Sequence, residues 1–252
     1  MRLKWYGTAS IEISGKEGKI LFDPFVPLNG SVVKTTPEDF DGTTHIFITH
    51  GHLDHIASLP EIVKRNPGVK IYCTKTPFRT LLKKEISERN LQLISYNQCL
   101  DINGFSIRIY HSRHAELPKV SKERLMYILK SPYRKNIIYL AKEHSICREN
   151  DETVLYEIKS EGKTVLLMGS MNLRDDIDYP EYADALVLPY NGWEDNYLPA
   201  VKVIERLKPV RILMDHYDDT FPPLTMPLDL SPILKEYGAR IKAMEYTKAE
   251  IL

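Results

Sequence analysis

The chain has 252 residues, of which 43% are apolar and 27% are charged, an ordinary composition for a globular protein. Lys plus Arg and Asp plus Glu number 34 each, so no overall positive charge favours nucleic acid or an anionic membrane as a partner. The length suits one sizeable hydrophobic core, and we expect a single domain over residues 1–252.

The N-terminal residues and the cysteines bear on the cellular compartment. No long apolar run follows Met1, so we expect neither a signal peptide nor a membrane span. Cys73, Cys99 and Cys147 are odd in number, widely spaced and outside any C-x-x-C pair. This pattern favours reduced thiols in the cytoplasm and argues against a cysteine-based zinc site.

Turn signals divide the chain into predicted hairpins and isolated strands. Gly-rich or Asn-Gly turns stand at residues 15–18, 103–104 and 160–162. The strands that flank them are predicted over residues 10–14, 19–23, 105–110, 154–158 and 164–168. Further buried strands are predicted over residues 45–49, 69–73, 185–189 and 210–214, and helices over residues 58–65, 77–88 and 199–207. Hairpins with interspersed helices favour an α/β (α+β) fold with helices outside two sheets, a four-layer αββα sandwich.

Residues 121–148 have the pattern of a helical insertion. The pattern is broken near Ser131-Pro132, and Lys and Arg are frequent among its apolar residues. An amphipathic pair of helices that packs on the sandwich explains this pattern. A lid over a pocket that selects an anionic substrate is the alternative.

The most informative stretch follows the predicted strand at residues 45–49. Within six residues it supplies three imidazoles and one carboxylate, from His50, His52, Asp54 and His55. Imidazole nitrogens and carboxylate oxygens are ligands that Zn²⁺, Mn²⁺ and Fe²⁺ accept. A single histidine beside an apolar strand is usually a satisfied core residue, but four candidate ligands in one loop favour a metal site.

The pattern H-x-H-x-D-H after a strand resembles the signature motif of the metallo-β-lactamase superfamily, whose fold is the αββα sandwich. The resemblance implies that His50 and His52 bind one metal ion, and that Asp54 and His55 bind a second. Family members carry another ligand to the first ion shortly after a later strand. His114 fits that place better than His111, which then serves as a hydrogen-bonding partner or a structural residue.

Two further stretches resemble one branch of this superfamily, the branch that contains ascorbate-6-phosphate lactonase and many metal-dependent hydrolases. One stretch is residues 214–222, in which His216 matches the last metal-ligating histidine of the family. The other is Phe22-Asp23-Pro24. The resemblance implies that Asp23 accepts a hydrogen bond from a ligand histidine, although an ordinary turn residue is the alternative. The similarity extends over residues 3–241.

The sequence departs from the family at Gly169-Ser170, where the family usually has Gly-Asp and the aspartate bridges both metals. A serine hydroxyl cannot offset the repulsion between two dications as a carboxylate does. Three consequences stay open. The protein holds only one ion tightly, Asp175 or Asp176 replaces the bridge, or the chain has become a binding protein without activity.

We therefore expect a metal-dependent hydrolase that uses a metal-bound hydroxide on a small-molecule ester, lactone or phosphoester, with Asp54 as the catalytic residue that orients the attacking water. A non-catalytic metal- or ligand-binding protein on the same fold is the alternative. Zinc is the expected metal, with manganese or iron as alternatives, and the chain carries one or two ions.

The pocket and the partners are less sharply defined by the sequence. Tyr190 and Trp193 follow the predicted strand at residues 185–189, and they either line the pocket or belong to the core and surface. The balanced charge favours a small-molecule substrate over nucleic acid. The sequence is also compatible with a homo-oligomer.

Overall fold

The computed structural model describes residues 1–116, 122–190, 196–218, 221–224 and 228–252, without the side chains of Glu123 and Arg124. The strands of these ranges, in chain order, are β1 (Arg2–Trp5), β2 (Ile11–Ser14), β3 (Lys19–Phe22), β4 (His45–Phe47), β5 (Lys70–Cys73), β6 (Leu91–Leu93), β7 (Cys99–Ile102), β8 (Phe105–His111), β9 (Val154–Ser160), β10 (Lys163–Met168), β11 (Ala185–Pro189), β12 (Arg211–Asp215), β13 (Ile241–Ala243) and β14 (Ala249–Ile251).

The helices of the same ranges lie between the strands. In chain order they are α1 (Leu53–Ile56), α2 (Leu59–Arg65), α3 (Lys75–Lys83), α4 (Lys122–Lys130), α5 (Lys135–Ile146), α6 (Tyr197–Leu207) and α7 (Ser231–Tyr237). Short 3₁₀ turns stand at Pro37–Phe40, Glu88–Asn90 and Gly238–Arg240.

The strands form two seven-stranded mixed sheets of matching design. The first has the order β14-β1-β2-β3-β4-β5-β6, and the second has the order β13-β12-β11-β10-β9-β8-β7. In each sheet, antiparallel hairpins occupy one part and parallel strands the other. The three predicted hairpin turns lie between β2 and β3, between β7 and β8, and between β9 and β10, so these predictions are confirmed.

Three apolar clusters define the layers. The central cluster lies between the two sheets and includes the fully buried Leu3, Phe47 and Tyr156. A second packs α6 and α7 on the outer face of the second sheet, and a third packs α1, α2, α3 and α5 on the outer face of the first. Burial of apolar surface on both faces of each sheet explains the near-continuous apolar runs in β4 and β11. The structure thus confirms the αββα sandwich.

The carboxyl ends of the parallel strands meet at one edge of the sandwich. There the residues after β4 contact the second sheet, because Tyr156 Oη donates to the Ile48 carbonyl at 2.7 Å and the Val154 amide donates to the Thr49 carbonyl at 2.9 Å. On the far side, the His216 amide after β12 donates to the Thr8 carbonyl at 2.9 Å. Loops outside the carboxyl ends of strands are where open αβ sheets place their ligand sites.

Residues 121–148 form α4 and α5, with the predicted break between them, in the part of this segment that the structure describes. The prediction for residues 77–88 is wrong at its end, because α3 stops at Lys83. Glu85 adopts a φ of 63°, and the Ile86 amide donates back to the Leu81 carbonyl at 3.1 Å. This is the hydrogen-bond pattern that ends helices, and the buried Ile86 had extended the helical periodicity beyond it.

None of the helices in the described ranges combines the length and the apolar character that a membrane crossing requires.

Gly169 should be the most sensitive glycine at the edge where the sheets meet. A Cβ at this position would lie 1.8 Å from Thr49 Oγ1, and Thr49 is fully buried. We expect Gly169→Ala to lower the free energy of unfolding by about 1–3 kcal/mol, as overpacked cores do. Urea denaturation measures the change. Gly68→Ala is the matched control, since no atom lies within 4 Å of its added Cβ. Equal stability of the two variants would contradict the close contact between the sheets.

Candidate metal centre

The central loop of the site begins where β4 ends and runs directly into α1. His50 lies in the loop, and His52 is the residue that precedes the first turn of α1. Asp54 and His55 lie on that turn, so both side chains extend from a short helix and not from a long loop. His50 and His55 are each only 1% exposed. Buried polar groups are normally hydrogen-bonded, so these two rings need partners inside the protein.

Three histidines form the first candidate ligand set. His50, His52 and His114 each offer a ring nitrogen, and these atoms lie within 4.8 Å of one another. His52 Nδ1 and His114 Nε2 are 3.1 Å apart. His114 Nδ1 donates to the Ala115 carbonyl at 2.6 Å, which leaves Nε2 free to face the other histidines. Three nitrogen ligands with an open position describe a catalytic metal site.

Asp54, His55 and His216 form the second candidate set, again with ligand atoms within 4.8 Å of one another. His216 Nε2 lies 3.1 Å from Asp54 Oδ2, and His55 Nε2 lies 3.6 Å from the same oxygen. The His50 and His55 ring centroids are 3.9 Å apart. The two sets are therefore neighbours in one centre.

A hydrogen-bond network from Asp23 holds both sets. Asp23 Oδ1 accepts from the Thr49 amide at 2.8 Å, and Oδ2 accepts from Thr49 Oγ1 at 2.6 Å. His55 Nδ1 lies 2.9 Å from the same Oδ2. Thr49 Oγ1 also contacts His50 Nδ1 at 3.1 Å. Because their Nδ1 atoms are engaged, His50 and His55 present Nε2 to the centre.

The residues present fit a bound divalent cation. His50 Nε2 is buried and has no hydrogen-bond partner in the described part of the chain. An unpaired buried ring nitrogen costs free energy, and a metal ion satisfies it without a proton. The nitrogen-rich donor set is one that Zn²⁺ accepts readily.

The first set is held in the form that binds metal. Burial and the neighbouring His55 lower the pKa of His50 well below its usual value. Burial and His114 lower the pKa of His52 to about 4, and burial lowers the pKa of His114. All three rings are therefore neutral at neutral pH, as metal ligands must be.

The second set has the opposite charge state. Burial opposes protonation of His216, but the hydrogen bond and the charge of Asp54 outweigh it and raise its pKa to about 9. Burial by itself would raise the pKa of Asp54, but His55 and His216 hold it below the usual value. In the metal-free protein His216 is thus a cation that donates to an ionised Asp54.

Ser170 lies at the carboxyl end of β10 and is 3% exposed. Its Oγ accepts a hydrogen bond from the Ala115 amide at 2.9 Å. The hydroxyl therefore holds the loop that carries His114. Asp175 and Asp176 do not replace a bridging carboxylate. Asp175 is fully exposed beside Arg206, and Asp176 pairs with Arg174 at the surface.

The remaining predicted residues lie elsewhere or outside the description. His111 stacks on Tyr96 with ring centroids 4.0 Å apart, and its Nε2 contacts the Asp151 carbonyl at 2.8 Å. Tyr190 is 5% exposed and belongs to the cluster between the second sheet and its helices. Trp193 lies outside the described residues.

Two contributors to the centre and one neighbour of it were not singled out from the sequence. Thr49 immediately precedes the motif, and its hydroxyl was a signal for a partner of His50. The Ala115 carbonyl carries no sequence signal, because any residue supplies one. His144 on α5 lies with its ring 6.3 Å from that of His52, a proximity that only the fold reveals.

A family model described as a β-lactamase superfamily domain matches residues 19–217, so the chain belongs to this superfamily. A metal-dependent hydrolase of Mesorhizobium japonicum is 27% identical over 115 residues, which are 46% of this chain and 48% of that protein. The chain spans about half the length of the curated relatives it matches.

Solved structures share the fold over nearly the whole chain. Igni18, a metallo hydrolase from Ignicoccus hospitalis, has a TM-score of 0.65 at 19% identity and covers 99% of this chain and 97% of its own. Zn²⁺-bound PqqB from Methylobacterium extorquens has a TM-score of 0.61 at 16% identity and covers 96% of this chain and 87% of its own. The fold assigned from the sequence is therefore confirmed as that of the metallo-β-lactamases.

We expect Asp23→Asn to weaken metal affinity by about 10- to 100-fold, because the amide loses the charge that fixes His55 and Thr49. Competition with a chromophoric chelator measures the affinity. Asp101→Asn, on the exposed strand β7, is the matched control and should leave affinity unchanged. An Asp23→Asn protein with unaltered affinity would show that the network does not orient the ligands.

Metal loading should release protons unequally at the two sets. The first set is already neutral, so its ion should bind at neutral pH without proton release. The second ion must displace the proton of His216, so it should release about one proton and bind more tightly as pH rises towards the His216 pKa. Calorimetric titration in buffers of different ionisation enthalpy counts these protons. Proton release with the first ion would contradict this assignment.

Proposed function

We propose that this protein is a metal-dependent hydrolase whose centre is formed by His50, His52 and His114 beside Asp54, His55 and His216. The observation that carries the proposal is the pair of adjacent ligand sets, in which the buried His50 Nε2 has no other partner among the described residues. Membership of the β-lactamase superfamily and the metal-dependent hydrolases among its relatives support the same activity.

We propose zinc as the metal. Imidazole nitrogens dominate both sets, and such sets suit zinc better than magnesium or calcium. The zinc-bound state of PqqB supports this choice by analogy of fold. When bound, the ion supplies Lewis acidity, which polarises a carbonyl or phosphoryl oxygen and acidifies water.

Asp54 is the residue we assign to the attacking water. Its low pKa keeps the carboxylate ionised at neutral pH, so it remains a hydrogen-bond acceptor. The side chain is 14% exposed, whereas His55 behind it is 1% exposed. Asp54 is therefore the most exposed member of the second set, and an acceptor there orients a water molecule.

The two sets should differ in affinity. The first needs no proton removal, whereas the second begins as an ion pair between Asp54 and His216 that metal binding must break. No carboxylate stands at Ser170 to offset the repulsion between two cations. We therefore propose one tightly bound ion in the three-histidine set and a weaker second ion.

The proposed substrate is a small-molecule ester, lactone or phosphoester, since each presents an oxygen that a Lewis acid polarises. The three cysteines are free thiols, which supports a cytoplasmic location. The hydroxyl at Ser170, in place of a carboxylate, favours one alternative, a metal- or ligand-binding protein without turnover.

The activity is tested with zinc-loaded and manganese-loaded protein on a chromogenic ester, a lactone and a chromogenic phosphodiester. We expect turnover in at least one class and a loss of about 10²–10⁴-fold in kcat for Asp54→Asn, the range that general base catalysis contributes. Metal content is measured on each sample.

Asp101→Asn serves as the control and should retain full activity. No turnover on any class by fully loaded protein would contradict the hydrolase and favour the binding protein. Equal activity of Asp54→Asn and Asp101→Asn would not contradict the proposed hydrolase activity, but it would exclude Asp54 from the mechanism.

A further inference from the structure

Helices α4 and α5 expose an unusual amount of apolar surface. Leu125, Met126 and Leu129 on α4 are 51%, 50% and 59% exposed, and Ile138 on α5 is 77% exposed. Large apolar side chains scattered singly on a surface are normal, but a group on one helical pair marks an interaction face.

The same helices carry an excess of positive charge. Residues 121–148 contain seven Lys or Arg and two Asp or Glu, whereas the whole chain has 34 of each. Of the two acidic residues, Glu143 is already paired with Lys84 at 2.5 Å. On α4, on α5 and between them, five exposed cations have no ion pair with any carboxylate in the described ranges: Lys122, Lys130, Arg134, Lys135 and Lys142.

The opposite side of this segment is fixed to the sandwich. Asn136 Nδ2 donates to the Asn29 carbonyl at 2.9 Å and to the Pro222 carbonyl at 2.7 Å. Leu140 is 2% exposed and packs in the cluster on the first sheet. Because these anchors hold the inner side of α5, Ile138 cannot turn inward without breaking them. On α4 the buried side is marked by Ile128, which is 8% exposed.

We propose that the exposed face of α4 and α5, formed by Leu125, Met126, Leu129 and Ile138 with the five unpaired cations, docks on an anionic lipid surface. Apolar side chains enter the boundary between headgroups and acyl chains, and the surrounding cations contact anionic headgroups. An amphipathic basic surface of this kind lies on a membrane without crossing it.

The positive charge of this face favours a lipid surface over a second copy of the chain. In a two-fold symmetric dimer the same patch faces itself, so the cation excess of one copy would oppose that of the other. Like charges across an interface are destabilising, whereas an anionic bilayer is complementary.

The face also adjoins the metal centre. His144 lies near the carboxyl end of α5, and its ring is 6.3 Å from that of His52. Docking through α4 and α5 would therefore bring the side of the centre that carries His52 close to the lipid. The proposal concerns binding alone and does not depend on turnover.

Co-sedimentation of the full chain with vesicles tests the proposal. Vesicles of phosphatidylcholine with phosphatidylglycerol should bind the protein, vesicles of phosphatidylcholine alone should not, and high salt should weaken binding. Leu129→Ser with Ile138→Ser, and separately Lys130→Ser with Lys135→Ser, should each reduce binding at least about tenfold.

Two matched controls sit on exposed positions elsewhere. Leu198→Ser with Val210→Ser removes comparable apolar surface, and Lys64→Ser with Lys202→Ser removes the same charge. Both should bind vesicles as the unmodified chain does. Circular dichroism verifies that every variant is folded.

Three outcomes would overturn the proposal. The first is no binding of the unmodified chain to anionic vesicles, which needs no variant to interpret. The second is equal binding to neutral and anionic vesicles, or equal loss in the control variants. The third is a dimer, seen by analytical ultracentrifugation, that the α4 and α5 variants convert to monomer while vesicle binding is absent, which would assign the face to a second copy.

Discussion

The site depends on one buried carboxylate, that of Asp23. It lies at the end of β3, is fully buried, accepts hydrogen bonds from Thr49, and has its Oδ2 2.9 Å from His55 Nδ1. Through Thr49 Oγ1 its influence reaches His50 as well. A buried charge without partners is costly, so these contacts are required by Asp23 as much as by the ligands. The tautomers of both histidines, and hence the direction of the free nitrogens, follow from this single group.

The two ligand sets differ because their surroundings differ. Burial outweighs the charge of the nearby carboxylates and keeps His50, His52 and His114 neutral, whereas the hydrogen bond to Asp54 holds a proton on His216. Ser170 adds to this difference, because it supplies a hydrogen bond to the His114 loop in place of a negative charge. We therefore propose that this centre favours one ion over two and that the second ion competes with a proton. The asymmetry is a property of the chain itself and not of any particular substrate.

Much of the candidate centre could be located from the sequence because four of its six candidate ligands are concentrated in one short motif after a strand. His216 lies far from this motif in sequence, but its local context matched the family. His114 was preferred to His111 as the candidate ligand because of its distance from the preceding strand. The geometry supports this choice, because His114 Nε2 lies 3.1 Å from His52 Nδ1, while His111 stacks on Tyr96. The Ala115 carbonyl and the nearness of His144 could not be predicted, because backbone acceptors and long-range contacts leave no local pattern. Short strands such as β6 and β14 were missed for a related reason: edge strands of three residues carry little apolar alternation.

Metal per chain is the most direct test of the account. Protein purified without added metal or chelator should be compared with His50→Ala and His216→Ala variants by elemental analysis. We expect about one ion in the unmodified chain, lost in His50→Ala and kept in His216→Ala, because the three-histidine set needs no proton removal. Absence of metal from the unmodified chain, even after incubation with zinc or manganese, would contradict the metal centre and with it the hydrolase.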